Sequence, residues 1–429
     1  MFGFANFLLL ALFAAAVFDL IFALARGGGL RGALHGQWNT PHLLFGQQLA
    51  EWRLQLGRIL FAAGLAAYEI SVVFCNSMAR QNWAWVQGVM SPVLEWLAFL
   101  CFGAKILFGT RYTWRELLAG GALYFIARWV YFNSQNIWWI GIVVAVLAAK
   151  DVPLRRPLQV YFASGCAAMA VVLALHFAGI VAPDLTSERM GALRGTYGYG
   201  HPNTFGGLVF GLVLAYALLR AQKVRWVDCL LVFAVGVFLL VGPASRSAAL
   251  CTLALAVGLV FCRLRAGHSV PRWWPGTCAG MVGLTAAVSY LLPLLVIKVG
   301  PWNNDIGPAW LAKLDSLLTC RISLTWMAYR LLDVKIAGQV FNWPTVDNSF
   351  AFALFQFGPV VAALLGILFA AALWGHAKQG RRVEVCCLFA MLAYAYMEVQ
   401  PFHLTTNPTA LLLCGAVFAQ TSARWQKIE

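Results

Sequence analysis

Four arginines stand at or between the ends of apolar runs, where a charged side chain needs a physical reason. Arg194 opens the stretch RGTYGYGHPN, Arg246 stands in the triplet SRS, and Arg321 and Arg330 share one polar segment. A guanidinium binds phosphate through paired hydrogen bonds, and the free N–H groups at a helix start bind anions as well. Snorkelling to lipid headgroups would explain any one of these arginines alone. Several arginines in separate segments favour an anion site.

Two carboxylates and two histidines are the candidates for proton transfer. Asp347 and Asn348 begin an apolar run, where either could cap a helix, and Asp347 could instead be a general base facing a cavity. Glu398 ends an apolar run, so its carboxylate is expected to pair with an arginine. His201 and His403 stand near other run ends and are the further candidates for the base.

Other polar residues near these positions predict helix starts and aromatic contacts. Pro202 cannot extend a helix backwards, so Asn203 is the expected N-cap of the following run, and Asn407 is a plausible cap before the next proline. Tyr197 and Tyr199 could stack on sugar rings, or belong to the aromatic belt of a membrane interface.

The elements that must position these residues are membrane helices. Of 429 residues, 61% are hydrophobic and 11% are charged, and the mean hydropathy is +0.75, whereas soluble domains carry roughly 25% charged residues. The apolar runs are continuous rather than alternating, which excludes a barrel. The sequence predicts an all-α polytopic membrane protein with about 12–14 transmembrane helices. The expected spans are 2–24, 58–78, 89–109, 117–132, 135–149, 157–182, 204–219, 226–242, 244–262, 276–298, 347–374, 383–398 and 408–421.

The basic residues predict which loops face the cytoplasm. The net charge of +15 fits the positive-inside tendency, so it gives no evidence for nucleic acid. The loops around Lys150, Arg220, Arg263 and Lys378, and the basic C-terminal tail, are expected to face the cytoplasm. The arginines named above then lie on the outer side, and the N-terminus is expected outside, with 2–24 as an anchored helix rather than a signal peptide.

The largest loop, 299–346, is expected to carry amphipathic helices on the outer leaflet. Trp310, Leu311, Leu314 and Ile322 recur at helical spacing with charges between them. We expect one integrated membrane domain, with N-terminal transmembrane helices in 1–182 and C-terminal helices with the outer catalytic loops in 183–429. No Cys-x-x-Cys spacing occurs, so neither a zinc site nor a disulfide framework is predicted.

The order of the motifs resembles a known family. RGTYGYGHPNTFG, SRS, LLTCRISL, DNSF and the later Glu398 and Asn407 follow one another as in bacterial polysaccharide polymerases of the O-antigen ligase/polymerase superfamily. The likeness is greatest to the polymerases of Gram-positive capsule and exopolysaccharide clusters, and it covers roughly residues 190–410. It implies a GT-C-like fold in the bacterial cytoplasmic membrane, with the active site facing outward.

The resemblance also implies a reaction and a set of roles. The family members are metal-independent, inverting glycosyltransferases that need no cofactor. They move a glycan from undecaprenyl diphosphate to a sugar hydroxyl of another lipid-linked unit. Arg194, Arg246 and Arg321 match the family's arginines and would clamp the diphosphate. Related ligases carry histidine where this chain has Asp347, which makes Asp347 the leading base. Partners would include membrane lipids and the pathway's flippase and chain-length regulator.

Two other functions stay open. A ligase would transfer the finished glycan to a different acceptor with the same chemistry. A flippase or transporter would need a polar path through the middle of its helices. Several charged residues in or near spans could form such a path, but they are expected mostly to make structural pairs: Asp19, Glu69, Glu95, Lys105, Arg128 and His176.

Overall fold

The structure, a computed structural model, describes residues 42–44, 49–181, 187–189, 192–296 and 307–418. Within these ranges seven helices are long and apolar enough to cross a membrane: Ala50–Cys75, Val86–Phe108, Arg155–Phe177, Pro202–Leu219, Arg246–Leu264, Trp274–Leu295 and Pro359–Lys378. They confirm the expectation of an all-α polytopic membrane protein. The expected span 2–24 lies outside the described residues, and the predicted orientation of the N-terminus therefore stays a prediction.

The first half of the described chain forms six helices. Their bounds are α1 Ala50–Cys75, α2 Ala79–Asn82, α3 Ser91–Phe108, α4 Trp114–Ser134, α5 Ile137–Ala148 and α6 Arg155–Phe177, and a π-helical turn, Val86–Met90, leads into α3. Helices α1 and α3 approach closely at glycines, because a Cβ added to Gly57 would lie 2.8 Å from the Cα of Gly109. Small residues at such a crossing let apolar helices pack backbone to backbone.

The second half carries the remaining helices. Their bounds are α7 Pro202–Leu219, α8 Trp226–Val241, α9 Arg246–Leu264, α10 Trp274–Leu291, α11 Ala309–Leu317, α12 Arg321–Leu331, α13 Ser349–Phe352, α14 Pro359–Lys378, α15 Arg382–Met397 and α16 Cys414–Val417. Short 3-10 turns cover Leu292–Leu295, Gln400–Phe402 and Pro408–Leu413, and Ala353–Phe357 is π-helical.

Two small two-stranded sheets complete the fold. Strands β1 (His42–Leu43) and β2 (Arg111–Tyr112) pair antiparallel, as do β3 (Ser187–Arg189) and β4 (Ala192–Arg194). An isolated antiparallel bridge between Ser77 and Tyr199 ties the end of α1 to the loop before α7.

The helices α7, α9, α12 and α13 begin at the same end of the bundle at which α15 ends. We call it the arginine end, because Arg194, Arg246 and Arg321 lie there. Ser247 near the start of α9 contacts Glu398, just after α15, and Arg321 contacts both. The opposite end holds the turns between α7 and α8 and between α14 and α15.

At the opposite end a buried ionic cluster fastens α3 and α4 to the turn after α5. Lys150 pairs with Glu116 at 3.3 Å and with Asp151 at 3.2 Å. Lys105 donates to the hydroxyl of Thr110 at 2.8 Å and to the carbonyl of Lys150. These bonds satisfy the buried ammonium groups, which would otherwise be costly in an apolar medium. The expectation that Lys105 has a structural role is confirmed.

The expected span 347–374 is wrong as one continuous helix. The structure divides it at Gly358, where α13 and its π-helical turn end and α14 begins with Pro359. Gly358 has φ 87°, and a Cβ there would lie 2.1 Å from the carbonyl oxygen of Ile336. The close approach and the left-handed backbone both need glycine, so an apolar run alone does not reveal the break.

The last expected span, 408–421, also differs. The described part consists of the 3-10 turn Pro408–Leu413 and the four residues of α16. That apolar helical stretch is shorter than the roughly 20 residues needed to cross a bilayer.

The segment 299–346 is described from residue 307 onwards. There α11 and α12 form two short helices joined at Thr319 and Cys320, which both have positive φ. Leu311 and Ile322 pack with Val296 in a small apolar cluster. Trp310 of the expected apolar face is 55% exposed, and the buried side chains of α12 include Arg321, Ser323 and Thr325. The amphipathic character of the segment and its placement on an outer leaflet therefore stay predictions.

Candidate functional site

A buried ion pair forms the centre of the arginine end. The Nη2 atom of Arg321 lies 2.6 Å from Oε1 of Glu398, and the side chains are only 8% and 6% exposed. Arg321 is the first residue of α12, and it also donates to the carbonyls of Leu318, at 2.8 Å, and Met397. A charge removed from water is tolerated when its partner and its remaining hydrogen-bonding groups are satisfied. The prediction that Glu398 pairs with an arginine is confirmed.

Glu398 gathers three helices through one oxygen. Besides Arg321, its Oε1 accepts from the hydroxyl of Ser247 at 2.8 Å and from Nδ2 of Asn203 at 3.1 Å. The hydroxyl of Ser349 reaches the backbone carbonyl of Glu398 at 2.5 Å. The starts of α7, α9, α12 and α13 are thereby held at the end of α15.

Asn203 links the carboxylate to a second arginine. Its Oδ1 accepts from Nη2 of Arg194 at 2.9 Å, while its Nδ2 donates to Glu398. The amide offers an acceptor to the cation and a donor to the carboxylate in one planar group. Arg194 also donates to the carbonyl of Ala244 at 3.2 Å.

Asn203 is not the helix cap that the sequence predicts. His201 is the N-cap of α7, and its Nδ1 accepts from the backbone N–H of Asn203 at 3.1 Å. A side-chain acceptor at this position satisfies an N–H that has no partner within the helix. The amide of Asn203 is therefore available to join Arg194 to Glu398.

Arg246 begins α9, as the sequence predicts, and the serines on either side of it contact Asn203 and Glu398. Ser247 bonds to Glu398, and Ser245 lies with its hydroxyl 3.5 Å from Oδ1 of Asn203. Helix α7 must pass close to Ser245, because a Cβ added to Gly206 would lie 2.2 Å from the serine hydroxyl. Gly206 thus permits the contact of α7 with α9 that brings Arg246 to the site.

Asp347 is likewise not a cap. Asn348 caps α13, because its Oδ1 accepts from the backbone N–H of Phe350 at 2.9 Å and of Ala351 at 3.1 Å. Asp347 lies in the preceding loop and is half-buried. Burial raises the pKa of its carboxyl group, and the positive charge of Arg321 acts in the opposite direction. The carboxylate therefore lies within electrostatic reach of Arg321.

The tyrosines of the glycine-rich loop hold that loop in place. Tyr199 is fully buried and packs on Phe205 with ring centroids 5.6 Å apart. Tyr197 has φ 53° and packs on Phe205 and Phe238 at 5.0 and 5.8 Å. Stacking of Tyr199 on a sugar is thus wrong, because its ring has no exposed face, and it is not an interface-belt residue either.

His403 and Asn407 lie on the neighbouring loop. The ring of His403 stacks against Trp138 of α5, with centroids 3.8 Å apart. Asn407 caps the 3-10 turn that follows it, accepting from the N–H of Ala410 at 3.1 Å, which confirms the predicted cap. Neither side chain bonds to the Asn203–Glu398 set within the part of the chain that the structure describes.

An apolar cleft of about 100 Å³ opens beside Ser349. Its walls come from α5, α10, α13, α14 and α15 and from the 3-10 turns after α15, and they include Tyr290, Phe350, Leu365 and Phe402. Ser349 therefore has two neighbours, the polar set on one side and the apolar cleft on the other.

Several site residues were not assigned roles from the sequence. Ser245 and Ser247 flank Arg246 in the SRS triplet, and that triplet was the only signal for them. Gln400 donates from Nε2 to the carbonyl of Asn203 at 3.3 Å and accepts from Tyr394 at 2.7 Å. Ser349 belongs to the DNSF motif, but neither its role nor that of Gln400 follows from the sequence, because their contacts join segments far apart in the chain.

Among the described residues, no group of three or more His, Cys, Asp or Glu side chains is arranged to hold a metal ion. A comparison with protein-family models, with curated proteins and with solved structures finds no match to this chain.

Proposed function

We propose that the chain is a polysaccharide polymerase of the GT-C type in the bacterial cytoplasmic membrane, with the arginine end facing outward. It would transfer a glycan from an undecaprenyl-diphosphate carrier to a sugar hydroxyl of another lipid-linked repeat unit. The observation that carries the proposal is the linked set Arg194–Asn203–Glu398–Arg321, which joins three sequence motifs that lie far apart in the chain.

The diphosphate is both the anchor and the leaving group in this reaction. Negative charge grows on it as the bond between the anomeric carbon and oxygen breaks, so nearby fixed cations stabilise the transition state. We assign direct contact with the phosphates to Arg194 and Arg246. Arg321 is neutralised by Glu398 at 2.6 Å, so in this proposal it contributes mainly by fixing Ser247 and Asn203 around the clamp.

Asp347 is the proposed general base. Its carboxylate would take the proton of the acceptor hydroxyl, whose oxygen attacks the anomeric carbon from the side opposite the diphosphate. Undecaprenyl diphosphate leaves with the bonding electron pair, which inverts the anomeric centre. A raised pKa, as burial produces for Asp347, makes a carboxylate a stronger base.

The apolar cleft beside Ser349 supports a lipid-linked donor. A polyprenyl chain entering between α10 and α14 would place its head next to Ser349 and Glu398. A soluble nucleotide-sugar donor would have no use for an apolar cleft at this place.

Gene disruption followed by analysis of surface polysaccharide and carrier lipids tests the proposal. Loss of a polymerase leaves single repeat units on the carrier outside the membrane. Loss of a ligase leaves unattached polymer, and loss of a flippase leaves repeat units on the inside. Either of the last two results would replace the polymerase proposal with that alternative.

A further inference from the structure

The opposite end of the bundle carries a second cleft, remote from the site above. It measures about 480 Å³ and lies between the α7–α8 turn, the end of α9 and the α14–α15 turn. Its walls include four basic side chains and one acidic side chain: Lys223, Arg263, Arg381, Arg382 and Glu384. Nothing in the proposed transfer reaction uses this cleft.

The positive charge of the cleft is not neutralised by the protein. Within the residues that the structure describes, no carboxylate lies within ion-pair distance of these four cations, although Arg220 nearby pairs with Asp228 at 3.1 Å. Arg382 donates instead to backbone carbonyls, at 2.8 Å for Arg265 and 3.4 Å for Ser269. Glu384 is the one carboxylate among the residues that line the cleft, so four cations face one anion and the cleft presents an excess of positive charge.

One of the cations is partly desolvated. Arg381 is half-buried, and burial lowers the pKa of its guanidinium group, with Glu384 acting in the opposite direction. A cation that has lost water gains more from a bound anion than an exposed one does. A concave site with several arginines suits a phosphate group, because each guanidinium can donate two parallel hydrogen bonds.

The surroundings of the cleft are those of a membrane interface. Trp226 is 53% exposed, Leu264 is 62% exposed and Trp273 is 64% exposed. Tryptophan is enriched where hydrocarbon meets headgroups, and these side chains directly follow or neighbour the basic residues in the chain. These apolar side chains lie at the same end of the bundle as the cleft but outside its lining, on the surface that the hydrocarbon chains of a bound phospholipid would contact.

We propose that this cleft binds the phosphate headgroup of an anionic phospholipid, with Lys223 and Arg263 at its mouth and Arg381 and Arg382 along its wall. The lipid would join the ends of α7, α9 and α15, the helices whose other ends carry Asn203, Arg246 and Glu398. The proposal does not depend on the reaction proposed above, only on these helices spanning a membrane.

The test measures lipid binding by the full chain in detergent. The protein is titrated with phosphatidylglycerol or phosphatidylcholine, bound lipid is detected by native mass spectrometry, and the unfolding temperature is recorded at each lipid concentration. The Lys223→Ala/Arg263→Ala double variant removes two exposed cations of the cleft. Arg155→Ala/Arg156→Ala is the matched control, because it removes the same charge from exposed positions at the same end, outside the cleft.

We expect phosphatidylglycerol, and not phosphatidylcholine, to bind and stabilise the native chain and the control. Binding to the double variant should be weaker by about tenfold or more, given about 1 kcal/mol for each basic side chain near an anionic lipid. Equal binding to all three proteins would overturn the proposal. So would displacement of the lipid by millimolar inorganic phosphate, which would identify a site for a soluble anion instead.

Discussion

The carboxylate of Glu398 accepts from Nη2 of Arg321 at 2.6 Å, and the two residues come from segments 77 positions apart. The same carboxylate oxygen accepts from Asn203 and Ser247. One acid therefore fixes the relative positions of four helix ends, and a second arginine, Arg194, is held through Asn203. The geometry of the proposed diphosphate site depends on this single junction.

Removing one partner of the ion pair should destabilise the fold. Arg321→Ala leaves the Glu398 carboxylate buried without its cation, so we expect a loss of about 3–5 kcal/mol in the free energy of unfolding. The measurement is thermal unfolding in detergent. Arg330→Ala is the control, because Arg330 lies on the same helix but is exposed. Equal stability of the two variants would show that the pair does not hold the helix ends together.

A double variant measures the interaction between Arg321 and Glu398 apart from what each side chain contributes by itself. Glu398→Gln in the background of Arg321→Ala removes the unpaired charge, so the double variant should be more stable than Arg321→Ala alone. Additive losses would contradict the direct coupling of the two side chains.

Because Asn203 bridges Arg194 and Glu398, aspartate should not be able to replace it. Asn203→Asp replaces the N–H donor to Glu398 by a second carboxylate at about the same place, so two negative charges would lie near 3.1 Å apart. We expect lower thermal stability and loss of transfer, with a greater loss of stability than in Asn203→Ala. Asn342→Asp, at an exposed position in the loop before α13, is the control and should leave both properties unchanged. A fully active Asn203→Asp variant would exclude the bridge.

The closeness of α7 to α9 can be tested without changing charge. Gly206→Ala introduces a Cβ that would lie 2.2 Å from the Ser245 hydroxyl, and such overpacking costs about 1–3 kcal/mol. Activity should fall too, because α9 carries Arg246. Gly283→Ala is the matched control in α10, where an added Cβ meets nothing within 4 Å. If Gly206→Ala leaves the free energy of unfolding and the activity unchanged, α7 and α9 can move apart at no cost in stability.

The fold and the site differ in how far the sequence could predict them. Most helices of the described chain lie within a few residues of the expected apolar runs, because crossing hydrocarbon requires a continuous apolar run that is visible locally. Among the described residues, seven helices are long and apolar enough to span a membrane, whereas 12–14 spans were expected for the whole chain. The break at Gly358 was missed, since the need for glycine there comes from the carbonyl of Ile336, a contact outside the run. One predicted cap was displaced, from Asn203 to His201, because neighbouring polar residues compete for the same backbone N–H groups. Of the two possible caps Asp347 and Asn348, the structure selects Asn348.

The arginine–glutamate pairing was predictable and the bridge was not. A carboxylate at the end of an apolar run needs a cation, which chemistry alone indicates. That Asn203 joins Glu398 to Arg194 depends on which helix ends meet, and this is a property of the packing.

The pKa of Asp347 predicts the pH dependence of transfer. A general base must be deprotonated, so the rate should fall as the pH decreases through its pKa, and burial places that pKa above the ordinary range of aspartate. The acid limb of the pH–rate profile should therefore lie at a higher pH than for an exposed carboxyl group. His403→Gln is the control and should keep the limb, because His403 stacks on Trp138 away from the polar set. A limb that moves in His403→Gln would make His403 the base.

Polymer formation by the purified chain tests the central claim most directly. The protein would be placed in lipid nanodiscs and supplied only with undecaprenyl-diphosphate-linked repeat units, and the products would be separated on a gel. We predict a ladder of polymers from the native chain, and only single repeat units from Arg246→Ala and from Asp347→Asn, each with unfolding temperatures close to that of the native chain. A full ladder from Arg246→Ala, or none from a folded native chain, would contradict the proposed polymerase.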